Sequence, residues 1–114
     1  SIMALYETDY NISEITIKKE VDNVSRIYVD NLVMDIHDEF LSKLKTKNKF
    51  NLKLFLNNEN IDIDQFEYIS QGLVFKKYDD KVLISFGGLL MSLNGHYKEL
   101  EKLEILSGVF VGIN

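Results

Sequence analysis

A chain of 114 residues, 46% hydrophobic and 27% charged, has the composition of a globular protein rather than of a disordered tail. This length predicts a single domain over residues 1–114, without a separate catalytic domain. The net charge of −5 argues against general attachment to a phosphate backbone, although it allows a local basic patch. The absence of cysteine excludes disulfides and thiolate metal sites and favours an intracellular protein, and no apolar run has the length of a membrane span.

The residue types favour an all-β fold. Alanine, the best helix former, occurs once, at Ala4, whereas the β-branched strand formers isoleucine and valine are abundant. There is no proline, so glycine, asparagine and aspartate must form the turns. We expect a closed or nearly closed antiparallel β-barrel of about eight strands, with at most a short helix near residues 98–103.

The first third of the chain predicts three strands. Apolar residues across 5–18 shift phase between Ile12 and Ile15, as in one strand with a bulge. Residues 24–29 form a second strand, in which Arg26 points away from the core. Arg26 is either a solvated surface charge or an ion-pairing residue for a partner.

Alternation over residues 32–41 predicts the third strand, with one apolar face and one acidic face. Its core face carries Leu32, Met34, Ile36, Asp38 and Phe40. His37 lies between Asp35 and Glu39 on the opposite face, which suggests a metal site; a solvated histidine is the better interpretation, because a closed site needs about four ligands.

A basic stretch follows. It contains Lys43, Lys45, Lys47 and Lys49. In the strand at residues 50–56, alternation places Phe50 in the core and leaves Phe55 exposed. The stretch is either a solvated loop or, together with Phe55, a contact for single-stranded nucleic acid.

The second half predicts a hairpin-rich sheet. Residues 57–65 read as a polar connector, and residues 66–79 as a long strand that bends at Gly72, with Tyr68 and Phe75 as apolar anchors. Residues 98–103 have the spacing of a helical turn, and residues 105–113 form the last strand.

Two strand patterns flank the pair Gly87-Gly88. Adjacent glycines in such a pattern indicate a sharp bend of the strand or another backbone lying against it. The bend can be a barrel corner, and the alternative is a flat docking surface for another chain. Asn94-Gly95 then predicts a tight turn.

The run S-F-G-G-L-L-M-x-L-x-G-x-Y-x-x-L, from Ser85 to Leu100, resembles the C-terminal signature of the small OB-fold-like subunit shared by nuclear RNA polymerases I, II and III. The segment at residues 66–69 and the pair Arg26-Ile27 are similar to other parts of that family. The present chain departs from many members in its compact connector at residues 57–65 and in its ending, which lacks two basic residues.

The resemblance implies that the barrel is OB-fold-like. It also implies a non-catalytic, architectural subunit in the nucleus, which docks on the largest polymerase subunit and supports assembly. It implies no cofactor, no membrane and no small-molecule substrate, and nucleic acid as at most an indirect partner. The expected interface residues are Arg26, Gly87, Gly88, Leu89, Leu90 and Tyr97. The alternative function is a free-standing OB-type protein that binds single-stranded nucleic acid.

Overall fold

The computed structural model describes residues 3–56 and 60–114 and consists mainly of β-strands. The strands are β1 (Tyr6–Asn11), β2 (Thr16–Val21), β3 (Val24–Val29), β4 (Leu32–His37), β5 (Lys49–Leu56), β6 (Tyr68–Tyr78), β7 (Lys81–Phe86), β8 (Leu89–Asn94) and β9 (Gly108–Ile113). One α-helix, α1 (Asp38–Leu44), precedes β5. Short 3₁₀ turns occupy Ile12–Glu14, Ile63–Gln65 and Lys98–Lys102.

All nine strands belong to one antiparallel sheet, in the order β1-β5-β9-β6-β7-β8-β4-β3-β2. The sheet curls into a half-barrel, as in OB-like folds, so the all-β prediction is confirmed. In the described part of the chain, no helix is both long and apolar enough to span a lipid bilayer.

The core lies on the concave side of the sheet. Alternate residues of β3 and β4, such as Ile27, Met34 and Ile36, are almost fully buried, because successive side chains of a strand point to opposite faces. Helix α1 adds Phe40, Leu41 and Leu44 to the same cluster. Burial of each large apolar side chain contributes about 1.5–3 kcal/mol to the free energy of folding. This burial is the main interaction that keeps the sheet curled.

The first predicted strand is in fact two strands. Residues 5–18 do not run through a bulge; the 3₁₀ turn Ile12–Glu14 separates β1 from β2. The phase shift between Ile12 and Ile15 therefore reflects a turn, and the sheet of the described residues has nine strands, in agreement with the expected number of about eight.

The strand predicted over residues 32–41 ends at His37, where α1 begins. Acidic side chains in the first turn of α1 and Lys43 in its last turn suit the helix dipole. Phe40 stacks on Tyr68, with ring centroids 4.8 Å apart. Asp38 is thus a first-turn helix residue, and the prediction that it continues the strand was wrong.

Two details of β6 and β9 also differ from the prediction. Phe75 lies at a register shift of β6 and is 39% exposed, so it is not a core anchor. The last strand begins at Gly108, because Leu106 has a positive φ of 69° and turns the chain. The helical turn predicted at residues 98–103 is present as a 3₁₀ turn, with Leu100 and Leu103 buried.

Candidate partner interface

Gly87 and Gly88 form the two-residue turn of the β7–β8 hairpin. Their φ angles are +63° and +99°, a conformation that favours glycine. A Cβ at either position would meet no atom within 4 Å. The glycines are therefore required by the backbone conformation of an exposed turn, and the predicted bend is a hairpin end rather than a kink within a strand.

Next to this turn, the convex face of the sheet carries an apolar surface that we call the outer patch. It surrounds a shallow cavity of about 160 Å³. The residues of the outer patch are Arg26, Val33, Phe75, Leu83, Leu90, Met91 and Ser92. Leu90 is 41% exposed and Phe75 is 39% exposed. Large apolar side chains that share one exposed cavity are typical of a protein interaction site.

Asp35 fixes the polar side of the outer patch. Its carboxylate accepts hydrogen bonds from Arg26 Nε at 2.7 Å and from Arg26 Nη2 at 3.2 Å. Glu20 lies 3.7 Å from the same guanidinium. Hydrogen bonding to Asp35 is the largest cause that raises the pKa of Arg26, so the charge is permanent. The guanidinium is held in one place, since both Asp35 oxygens engage it.

The same carboxylate also reaches β8. The β4–β8 ladder extends from the Leu32–Leu93 pair to the Met34–Met91 pair. One position further on, the backbone N–H of Leu90 donates to Asp35 Oδ2 at 2.9 Å. Because only 7% of Asp35 is exposed, the side chain acts as a buried link that replaces a strand-to-strand hydrogen bond.

The structure places five of the six predicted interface residues at the β7–β8 hairpin turn or in the outer patch beside it. Arg26 and Leu90 line the outer patch, and Gly87, Gly88 and Leu89 adjoin Leu90 at the hairpin turn.

Tyr97 lies elsewhere. It follows the far end of β8 and packs edge-on against Tyr6, with ring centroids 5.4 Å apart. Sequence reasoning missed Asp35, which it placed on a solvated acidic face. A signal existed: positions 26 and 35 pair across the β3–β4 hairpin and carry opposite charges.

The sequence model of the RNA polymerase Rpb8 family matches residues 29–114. This chain belongs to that family. It is therefore a subunit of an RNA polymerase, and the resemblance seen in the run from Ser85 to Leu100 is confirmed. The Rpb8 match includes Asp35 and Leu90, whereas Arg26 precedes it by three residues. No curated protein matches the chain in a sequence search.

The basic stretch of this Rpb8 member is not one solvated loop. Lys43 belongs to α1 and Lys49 begins β5. Lys47 forms an ion pair of 2.7 Å with Glu67, and the Lys49 ammonium lies 3.6 Å from Asp9. Lys43 and Lys45 are exposed.

Phe55 is buried, contrary to the prediction, with 4% of its surface exposed. It points to the convex face of β5 as alternation requires, but the ring of Phe66 covers it, with centroids 5.8 Å apart. The Rpb8 chain therefore presents no exposed Phe55 ring on which a base could stack beside the lysines.

The acidic face around His37 does not form a ligand cluster. Within residues 3–56 and 60–114, no three histidine or acidic side chains converge in a way that could hold a metal ion. Asp35 binds Arg26 instead, and His37 is exposed at the start of α1.

Proposed function

We propose that this chain is a non-catalytic, architectural subunit of nuclear RNA polymerases I, II and III. It docks on the largest subunit and supports assembly of the complex, through one domain that covers residues 1–114. The observation that supports this proposal is the outer patch, where the exposed side chains of Leu90 and Phe75 lie beside a fixed arginine. A partner surface that covers them removes apolar area from water.

The charged pair of the outer patch suits binding rather than chemistry. Asp35 uses both oxygens in structural hydrogen bonds, and the permanent charge of Arg26 is balanced by this carboxylate within the chain. Pre-positioned polar groups at an apolar site give specificity at little entropic cost, because their side chains are already ordered. The glycine turn beside Leu90 adds an exposed edge without bulky side chains.

Single-stranded nucleic-acid binding is the weaker function, because Phe55 is covered and two of the four lysines have acidic neighbours. The lysines provide at most a weak, salt-sensitive contact.

The test compares affinity purifications from nuclease-treated cell extract at moderate salt, using the tagged wild type, Leu90→Ser and Ile63→Ser. Ile63 is the matched control, since it is 55% exposed and lies outside the outer patch. We expect Leu90→Ser to weaken retention of the largest subunit by about tenfold, because an interface leucine loses about 1.5 kcal/mol or more of burial.

Equal retention of the largest subunit by both variants would mean that the interface lies outside the outer patch. Loss of the wild-type contact after nuclease treatment would show that nucleic acid bridges the proteins, in favour of the alternative function.

A further inference from the structure

A second surface shares no residue with the outer patch and lies along β1, an edge strand of the sheet. A cleft of about 660 Å³ runs between β1, the turn that joins β3 to β4, and the segment after β8. We call it the β1 cleft, and the residues that matter here are Tyr6, Glu7, Tyr10, Asp30, Tyr97 and Glu99. β1 pairs with β5 on one side and, in the described part of the chain, has no strand on the other.

A hydrogen-bonded network makes the floor of the β1 cleft rigid. The Tyr10 hydroxyl donates to Asn31 Oδ1 at 2.9 Å, and Asn31 Nδ2 donates to the Tyr6 hydroxyl oxygen at 2.9 Å. The backbone oxygen of Asn31 accepts from Asn94 N at 2.8 Å. Tyr97 packs on Tyr6 from the side. The floor of the β1 cleft and the Tyr97 ring beside it are thus in place before any partner arrives, which lowers the entropic cost of binding.

The charged side chains that line the β1 cleft in the described chain are all acidic. Glu7, Asp30 and Glu99 line it, and no lysine, arginine or histidine of the described chain does so. Burial raises the pKa of Tyr10 and of Tyr97, with smaller contributions from Tyr6 and Asp30, so the phenols stay neutral. Tyr6 and Tyr10 are buried, with 8% and 1% of their surfaces exposed, so of the three rings only the partly exposed Tyr97 can attract a cation, and the carboxylates add to that attraction.

We propose that the β1 cleft binds an extended, basic segment of a protein partner, with a lysine or arginine side chain placed between the Tyr97 ring and the carboxylates. The open side of β1 gives such a segment room to lie beside the strand. An anionic partner such as a nucleic acid is disfavoured by the three acidic side chains. This surface is separate from the outer patch, so the inference does not rest on the proposed docking.

The test is a titration of the ¹⁵N-labelled full chain with a blocked pentapeptide of alternating valine and arginine, followed by amide chemical shifts. A peptide with glutamine in place of arginine is the matched probe. We expect the arginine peptide to shift the signals of Tyr6, Asp30 and Tyr97. The double variant Asp30→Asn, Glu99→Gln should weaken that binding by about tenfold, because each of the two carboxylates contributes a modest part of the binding free energy.

Asparagine suits position 30, where φ is +48°, and Glu14→Gln removes a charge outside the β1 cleft as the control. Equal shifts with the glutamine peptide would overturn the proposal, as would shifts confined to residues outside the cleft. An unchanged affinity in the double variant would also overturn it.

The assembled polymerase supplies a second measurement. The chain has no cysteine, so Glu99→Cys carries its single thiol, and cross-links from that residue of purified polymerase can be assigned by mass spectrometry after treatment with a thiol-to-amine cross-linker. We expect a cross-link to a lysine of a basic segment, and none from the control Glu14→Cys to that segment. Failure of Glu99→Cys to reach any lysine in a polymerase that contains the subunit would count against the proposal.

Discussion

The carboxylate of Asp35 accepts the backbone N–H of Leu90 at 2.9 Å, where the ladder between β4 and β8 has ended. Through its other oxygen the same side chain accepts from Arg26 at 2.7 Å. One buried acid thus connects three strands and positions both the charged and the apolar part of the outer patch.

Asp35→Ala should lower the free energy of unfolding by about 1–3 kcal/mol, because it leaves the Leu90 N–H and the Arg26 guanidinium without their acceptor. Urea denaturation followed by circular dichroism measures this loss. Asp64→Ala, which removes an exposed acid, should change the stability by less than about 0.5 kcal/mol. Equal stabilities of the two variants would mean that Asp35 is not a structural link.

Gly88→Val should destabilise the chain by about 1–3 kcal/mol, because a β-branched residue is strained at a φ of +99°. Gly87→Asn is the matched control; it should be nearly neutral, since asparagine tolerates a φ of +63°. Both positions have open space for a side chain, so a loss can be assigned to backbone strain rather than to a clash. Thermal denaturation distinguishes these expectations, and a fully stable Gly88→Val would contradict them.

The pKa of Asp38 is lowered, chiefly by its hydrogen bond from Lys19 and then by that from Ser25 Oγ at 2.6 Å. A carboxyl group whose pKa is lower in the folded state contributes stability above its unfolded pKa of about 4, and this contribution is lost as the pH falls through the folded pKa. The stability of Asp38→Asn should therefore decline less steeply than that of the wild type below pH 4. Denaturation curves between about pH 2 and pH 6 test this, and identical slopes would refute it.

Replacement of four lysines by serine should lower the free energy of unfolding only slightly. These lysines are Lys43, Lys45, Lys47 and Lys49. The two ion pairs that are lost involve partly exposed side chains, and each contributes about 0–1 kcal/mol. We expect retention of the largest polymerase subunit to stay unchanged in the affinity purification. Fluorescence anisotropy with a labelled single-stranded oligonucleotide should show equally weak binding for the wild type and the variant; strong, lysine-dependent binding would restore the nucleic-acid hypothesis.

The alternation of apolar and polar residues predicts the strands well where one face of the strand packs on the core. In β3, β7 and β8 the buried positions follow a period of two, β4 departs from it only at the buried Asp35, and the two glycines mark the hairpin end. The start of α1 could not be predicted in this way, because Asp38 and Phe40 continue the alternation of β4 in phase. Phe40 is buried in either conformation, and its stacking on Tyr68, 28 residues away in the chain, distinguishes them.

The convex face is harder to predict, because alternation says which side a residue faces and not what covers it. Phe55 faces outward as predicted, yet Phe66 from a later segment lies on it. Asp35 also faces outward, yet it is buried between Arg26 and β8. Arg26 and Leu90 of the candidate site could therefore be predicted from the sequence. Asp35, which joins them, could not, because its position depends on tertiary contacts.

The position of β9 between β5 and β6 has a consequence for how the protein is made. Among the described residues, strand pairing connects the β1–β5 ribbon to the other six strands only through β9, whose Ile113 pairs with Leu52. A nascent chain that has not yet released residues 108–113 therefore holds two separate sheets with unpaired, apolar edges, which is a state prone to wrong pairing. Ribosome-bound chains that expose residues 1–107 should be digested by protease faster than chains that also expose β9; equal protection would show that the two sheets close by another route.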